Sequence, residues 1–86
     1  MNAKEVEERV CATLLKEWDP IGVADEPAAQ DEYDTYAPLI VSMLRAGASG
    51  EAVARHLLSI EREQMGLPGD ASRAAHVAER LRVLTG

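Results

Sequence analysis

Apolar residues recur every three or four positions along four segments of the chain, a spacing that predicts amphipathic helices. The first predicted helix covers residues 3–18 and ends before Pro20, because the residue that precedes a proline is pushed out of the α region. Asn2 stands in the position of an N-cap, and Glu5 follows it three residues later. The apolar stripe comprises Val6, Val10, Leu14 and Trp18, widened by Ala3, Cys11 and Leu15.

The second predicted helix begins at about Glu32 or Thr35 and ends at Ala46. With Asp34 as its N-cap, Pro38 falls in or just after the first turn, where proline is tolerated. Gly47 then supplies a left-handed C-terminal cap. The predicted apolar face of this second helix consists of Leu39, Ile40, Met43 and Leu44.

Two more helices follow, separated by the strong stop signal Gly-Leu-Pro-Gly at 66–69. Ser49 is the expected N-cap of the third helix and Asp70 that of the fourth, which covers residues 71–85. No run alternates with period two, so no sheet is predicted. We therefore expect a single all-α domain over residues 1–86, a compact four-helix bundle. The third stripe comprises Val53, Leu57, Leu58, Ile60 and Met65, and the fourth Ala71, Ala74, Val77, Ala78, Leu81 and Leu84.

The connection at 19–31 is long for a small helical domain, in which links of two to eight residues are usual. Long ordered connections often carry function or wrap a core. Ile21 and Val23 are its apolar members, and we expect both to hold the connection against the bundle.

The net charge of −6 is concentrated in one part of the sequence. Residues 17–34 contain seven acids and no base, and the chain's three aromatic residues lie in or beside this stretch. Exposed acids beside aromatic rings can form a docking surface for a basic protein. The alternative is that the acids cap helices and turns while the rings pack inward, as the spacing of Trp18 from Leu14 suggests. The candidate partner-binding residues are Trp18, Asp25, Glu26, Asp31, Glu32, Tyr33, Asp34 and Tyr36.

The sequence contains no catalytic motif, phosphate-binding loop or set of residues at metal-ligand spacing, so we expect no enzyme activity, cofactor or metal. Cys11 is predicted to be a small core residue, and His56 and His76 to be surface or boundary residues. The acidic balance argues against binding to nucleic acid or to an anionic membrane. The chain shows no signal peptide or membrane span and has one cysteine, so we expect a cytoplasmic protein.

The run Trp-Asp-Pro-Ile-Gly at 18–22, followed by Asp-Glu-Tyr-Asp at 31–34, resembles the signature of the DUF1871-like family of small bacterial helical proteins of unknown function. The resemblance covers about residues 14–46 and implies a helical fold. It implies no activity, because none is assigned to that family.

The leading hypothesis is a non-enzymatic binding protein that engages a basic partner through residues 18–36. Small size and acidic charge also suggest one form of this function, an immunity protein or inhibitor that neutralises a toxin. A first alternative is a structural homo-oligomer or homodimer, since Leu58, Val77 and Val83 widen the apolar stripes. A second alternative is a metal-dependent enzyme that uses the acidic cluster.

Overall fold

The computed structural model describes residues 2–84, and within them it contains helices and no strand. The element bounds are α1 Ala3–Thr13, a π-helical turn Leu14–Trp18, short 3₁₀ helices Pro27–Ala29 and Asp34–Tyr36, α2 Ala37–Arg45, α3 Gly50–Ser59, a second π-helical turn Ile60–Gln64, and α4 Ala71–Arg82. Helix α3 packs against α4, while α1 contacts both α2 and α4. The predicted all-α, four-helix architecture is confirmed.

The first helix follows the sequence prediction closely. Asn2 is the N-cap, and its side chain accepts a hydrogen bond from the amide of Glu5. The helix continues through the π-helical turn to Trp18, where the amide of Asp19 donates to the carbonyl of Leu14 at 2.8 Å. Within the predicted stripe, Val6, Val10, Leu14 and Trp18 are buried, Cys11 and Leu15 are partly buried, and Ala3 is exposed.

The second helix departs from the prediction at its start and on one face. It begins at Ala37 with no side-chain cap, so the assignment of Asp34 as its N-cap is wrong. Pro38 lies in the first turn as expected, and Gly47 has φ +79°. At the C-terminus the amides of Gly47 and Ala48 donate to the carbonyls of Leu44 and Met43, the pattern of a Schellman motif.

The buried face of α2 comprises Ala37, Ile40, Val41 and Leu44, and Met43 packs beside it. Leu39, expected to point inward, is 56% exposed. The buried set has the spacing i, i+3, i+4 and i+7, and a residue at i+2 cannot share the face that this spacing defines. The predicted inward orientation of Leu39 is therefore wrong, because the buried face of α2 is rotated away from it.

Helices α3 and α4 begin at the predicted caps. The Ser49 hydroxyl accepts from the amide of Ala52, and the Asp70 carboxylate accepts from the amide of Arg73. The predicted inward residues of both helices are buried or partly buried, except for Ala71, which is exposed at the first position of α4. Thr85, the predicted end of the fourth helix, lies outside the described residues.

The two π-helical turns meet inside the protein. The Trp18 indole Nε1 donates a hydrogen bond of 3.2 Å to Glu61 Oε2, and the Glu61 side chain is only 1% exposed. A buried carboxylate is costly unless it is paired and hydrogen-bonded. The Arg73 guanidinium lies 3.7 Å from Glu61 Oε1 and supplies the opposing charge. This arrangement joins the ends of the first and third helices to α4.

None of the helices within residues 2–84 combines the length and the apolar character that a membrane crossing requires.

Two neighbouring residues of α2 provide a test of the packing. Ile40→Ala removes a fully buried side chain and should lower the free energy of unfolding by about 2–5 kcal/mol. Leu39→Ala is the matched control and should change it by about 0.5 kcal/mol or less. Urea unfolding followed by circular dichroism measures both values. Equal costs for the two variants would contradict the orientation of α2.

Candidate functional site

Asp19 organises the start of the acidic connection. Its backbone adopts a left-handed conformation, φ 32° and ψ 58°, which costs energy in any residue other than glycine. The carboxylate compensates by accepting hydrogen bonds from the amides of Val23 at 2.8 Å and Ala24 at 3.0 Å. The chain therefore turns sharply at the end of the first helix and is held in that turn by one side chain.

Tyr33 closes the connection at its other end. Its hydroxyl donates a 2.6 Å hydrogen bond to Asp19 Oδ1 and accepts one from the amide of Ile21 at 3.3 Å. The Tyr33 ring is 1% exposed and lies against Trp18, with ring centroids 5.3 Å apart. The segment 19–33 is thus a closed loop, fastened by an aromatic side chain that is itself part of the core.

Local hydrogen bonds order the backbone between these two residues. Turns of the i to i+3 type link 23 to 26, 26 to 29, 29 to 32 and 31 to 34. The Gln30 side-chain amide also donates to the carbonyls of Ala24 and Glu26, each at 2.9 Å. Val23 packs against the core as predicted, whereas Ile21 is 42% exposed, so its predicted anchoring role is wrong. Polar contacts therefore hold most of this loop.

The Asp19–Tyr33 hydrogen bond shifts the titration of both groups. Burial alone raises the pKa of Asp19, but the hydrogen bonds from Tyr33, Val23, Ala24 and Gly22 outweigh it, and the pKa lies below its ordinary value of 3.8. Burial, followed by the hydrogen bond to Asp19, raises the pKa of Tyr33. The folded protein therefore favours a charged carboxylate beside a neutral phenol.

Two of the seven acids in 17–34 have structural roles. Asp19 holds the turn, and Glu17 accepts hydrogen bonds of 3.1 and 3.2 Å from Arg80 on α4. His76 Nε2 also lies 3.8 Å from Glu17. An arginine of the fourth helix thus neutralises part of the acidic stretch at Glu17.

The other five acids are exposed, and none of their side chains forms a capping hydrogen bond. Among the residues that the structure describes, none of their carboxylates has an ion-pair partner or accepts a backbone hydrogen bond. Asp34 alone has a side-chain contact, with the thiol of Cys11. The side chains of these five acids therefore do not have the turn and cap roles that the alternative interpretation gave them. The five are Asp25, Glu26, Asp31, Glu32 and Asp34.

The three aromatic residues differ in their accessibility. Trp18 is 0% exposed and Tyr33 1% exposed, which corrects their assignment to a partner-binding surface. Their rings instead pack in the hydrophobic core and hold the loop against the bundle. Tyr36 is only partly buried and packs edge-on against Trp18, with centroids 6.1 Å apart at 87°. It is the one aromatic candidate that still reaches the surface.

The remaining candidate groups show no arrangement for catalysis. Burial, together with the hydrogen bond and charge of Asp34, raises the pKa of the Cys11 thiol to about 12, which disfavours the reactive thiolate. Burial lowers the pKa of His56. Within residues 2–84, no group of three His, Cys, Asp or Glu side chains is placed to hold a metal ion. The metal-dependent alternative therefore gains no support from the geometry.

The residues considered for self-association are mostly used within one chain. Val77 is fully buried, and Leu58 packs against the core. Val83 is exposed, at the end of α4. A single exposed valine gives the homo-oligomer alternative no specific support.

The sequence analysis missed two connections that build this site. Asp19 and Tyr33 were noted as parts of one motif, but nothing in the sequence indicated that their side chains bond. Glu61 was not singled out in the sequence, although it is buried and bonded to Trp18. The only sequence signal for the burial of Glu61 is its position next to Ile60 of the apolar stripe, and this signal is weak.

Comparison with known proteins gave no match to any family model, to any curated protein or to any solved structure.

The lowered pKa of Asp19 predicts a pH-dependent contribution to stability. The contribution is fully present above the unfolded-state pKa of 3.8, and it is lost as the pH falls through the still lower pKa of the folded state. Asp19→Asn should therefore be less stable than the wild type at pH 6, and this difference should shrink as the pH falls below about 4.

Urea unfolding of both proteins between pH 6 and pH 3 measures that difference. The other carboxylates titrate in both proteins, so the comparison isolates Asp19. A difference that stays constant across this range would show that the charge of Asp19 does not contribute.

Proposed function

We propose that this chain is a non-enzymatic binding protein and that its acidic loop, residues 18–36, engages a basic surface on a partner protein. The observation that carries the proposal is the set of five exposed carboxylates without ion-pair partners among the described residues, displayed on a loop with a fixed backbone. Complementary charge accelerates association and excludes partners of like charge. Seven acids and no base in residues 17–34 give this segment the field that such steering needs.

The ordered backbone of the loop supports the same function. A flexible loop must lose conformational entropy when it binds, and this loss weakens the complex. Here the Asp19–Tyr33 hydrogen bond, the successive turns and Gln30 have already fixed the backbone. The backbone that carries the acids is therefore ordered before any partner arrives.

Tyr36 provides an anchor at the edge of the acidic loop. Aromatic residues are enriched among the side chains that contribute most to binding. One side of the Tyr36 ring contacts the fully buried Trp18, so the ring is held in place while part of it remains accessible.

An immunity protein or inhibitor of a basic toxin is one form that this function would take.

Charge neutralisation in the loop tests the proposal. A loop variant changes four acids to their amides, and the control variant makes the same change in charge on the helices. The loop substitutions are Asp25→Asn, Glu26→Gln, Asp31→Asn and Glu32→Gln. The control substitutions are Glu7→Gln, Glu8→Gln, Glu51→Gln and Glu63→Gln.

Affinity capture from a lysate of the source organism uses the wild type and both variants as baits. We expect a basic protein that the wild type and the control retain, that the loop variant loses, and that high salt releases. Tyr36→Ala, made in the wild-type bait, should weaken the capture of this protein without changing its salt dependence. If all three baits retain the same proteins, or none, the acidic loop is not a docking surface.

A further inference from the structure

An apolar strip on α2 extends the hydrophobic core to the surface at the end of the acidic loop. Its members, Tyr36, Leu39 and Met43, are spaced i, i+3 and i+7, so their side chains lie along one side of the helix. Tyr36 and Met43 are partly buried and pack against the core, whereas Leu39 is 56% exposed. The inner edge of the strip therefore belongs to the core, and its outer edge faces solvent.

The charges near this strip differ between its two ends. Residues 35–44 contain no charged side chain. Glu32 and Asp34 lie within four residues of Tyr36, and both carboxylates are exposed and have no ion-pair partner in the described part of the chain. The strip is thus an uncharged apolar surface with acids at one end, and protein interfaces commonly combine an apolar centre with a polar rim.

These features restrict the kind of molecule that can cover the strip. The acids repel an anionic membrane and attract a basic segment. Residues 2–84 contain no strand, so a partner has no sheet edge to extend there. The strip follows a helix, and a second helix laid along it can place its side chains between those of the first, as paired helices do in protein cores.

We propose that the strip and the adjacent acids bind a basic amphipathic helix of the partner protein, an inference that rests on the proposed function. Apolar side chains of the partner helix would contact Tyr36, Leu39 and Met43, and its Lys or Arg side chains would lie beside Glu32 and Asp34. From Tyr36 to Met43 the strip is about 10 Å long, a length that two turns of a partner helix cover. Leu39 is the residue that this inference adds to the docking surface.

Three peptides of about sixteen residues test this inference, since a peptide of that length can form a helix. The first contains Lys, Ala and Leu, with the leucines spaced i, i+3 and i+7. The second has the same composition in an order that spreads the leucines around the helix, and the third has Glu in place of Lys. Each is titrated at low ionic strength into the ¹⁵N-labelled wild type, and the backbone amide shifts of Glu32, Asp34, Leu39 and Met43 are followed by NMR.

We expect the first peptide to give saturable shifts at Leu39 and Met43 and to bind at least about tenfold more tightly than either of the others. Equal binding of the first two peptides, with shifts confined to Glu32 and Asp34, would overturn the helix inference and leave the acidic docking surface intact. Equal or tighter binding of the Glu peptide would overturn it too. No saturable binding of the first peptide would have the same consequence, and the capture experiment with the loop variant would then decide the proposed function separately.

Leu39→Ala tests the apolar contact. It should weaken binding of the first peptide about tenfold and leave that of the second unchanged, because it removes an anchor and no charge. Val83→Ala truncates another exposed apolar side chain, at the end of α4, and is the control that should bind as the wild type does. Unaltered binding in Leu39→Ala would contradict the inference. Sedimentation of the wild type alone tests the other occupant: a dimer that Leu39→Ala dissociates would assign the strip to a second copy of this chain and overturn the inference.

Discussion

The hydrogen bond between the Tyr33 hydroxyl and the Asp19 carboxylate is the interaction on which the acidic loop depends. It joins two residues that are fourteen positions apart, at a distance of 2.6 Å. Asp19 lies in a strained left-handed conformation beside a proline, and its bonds to Tyr33, Val23 and Ala24 offset that strain. Because Tyr33 is also buried against Trp18, the loop is attached directly to the hydrophobic core.

The same aromatic cluster connects the loop to the opposite side of the bundle. Trp18 contacts Tyr33 through one part of its ring system and bonds to the buried Glu61 through its indole nitrogen. Glu61 in turn pairs with Arg73 on α4. A single tryptophan therefore joins the loop proposed to bind a protein partner to the buried ion pair between the third helix and α4. Trp18, Asp19 and Tyr33 of the motif Trp-Asp-Pro-Ile-Gly followed by Asp-Glu-Tyr-Asp form the framework of this arrangement.

Much of the fold could be predicted from local sequence, because helix periodicity and caps are local properties. Asn2, Ser49, Asp70 and Gly47 all occupy the capping positions that were predicted. The phase of α2 could not be fixed in this way. Its apolar residues run consecutively from Leu39 to Val41, and only packing decides which of them face inward.

The sequence predicted which acids belong to the candidate site, but it did not predict the side-chain contacts that hold the site together. The cluster of acids in 17–34 is visible in the sequence, as is the absence of bases to pair with them. The bonds from Tyr33 to Asp19 and from Trp18 to Glu61 are tertiary contacts, which no spacing rule encodes. For that reason the sequence suggested exposed aromatic anchors, whereas the structure buries Trp18 and Tyr33 and leaves Tyr36 partly accessible.

Amide hydrogen exchange in Tyr33→Phe is the most direct test of this account, because the variant keeps the ring and removes only the hydroxyl. We predict that the amides of Val23 and Ala24, which donate to Asp19, will exchange on the order of tenfold faster relative to the amide of Leu57 in the core. That result would show that the Asp19–Tyr33 hydrogen bond orders the loop independently of the bundle. An equal acceleration at all three amides, or none at Val23 and Ala24, would contradict it.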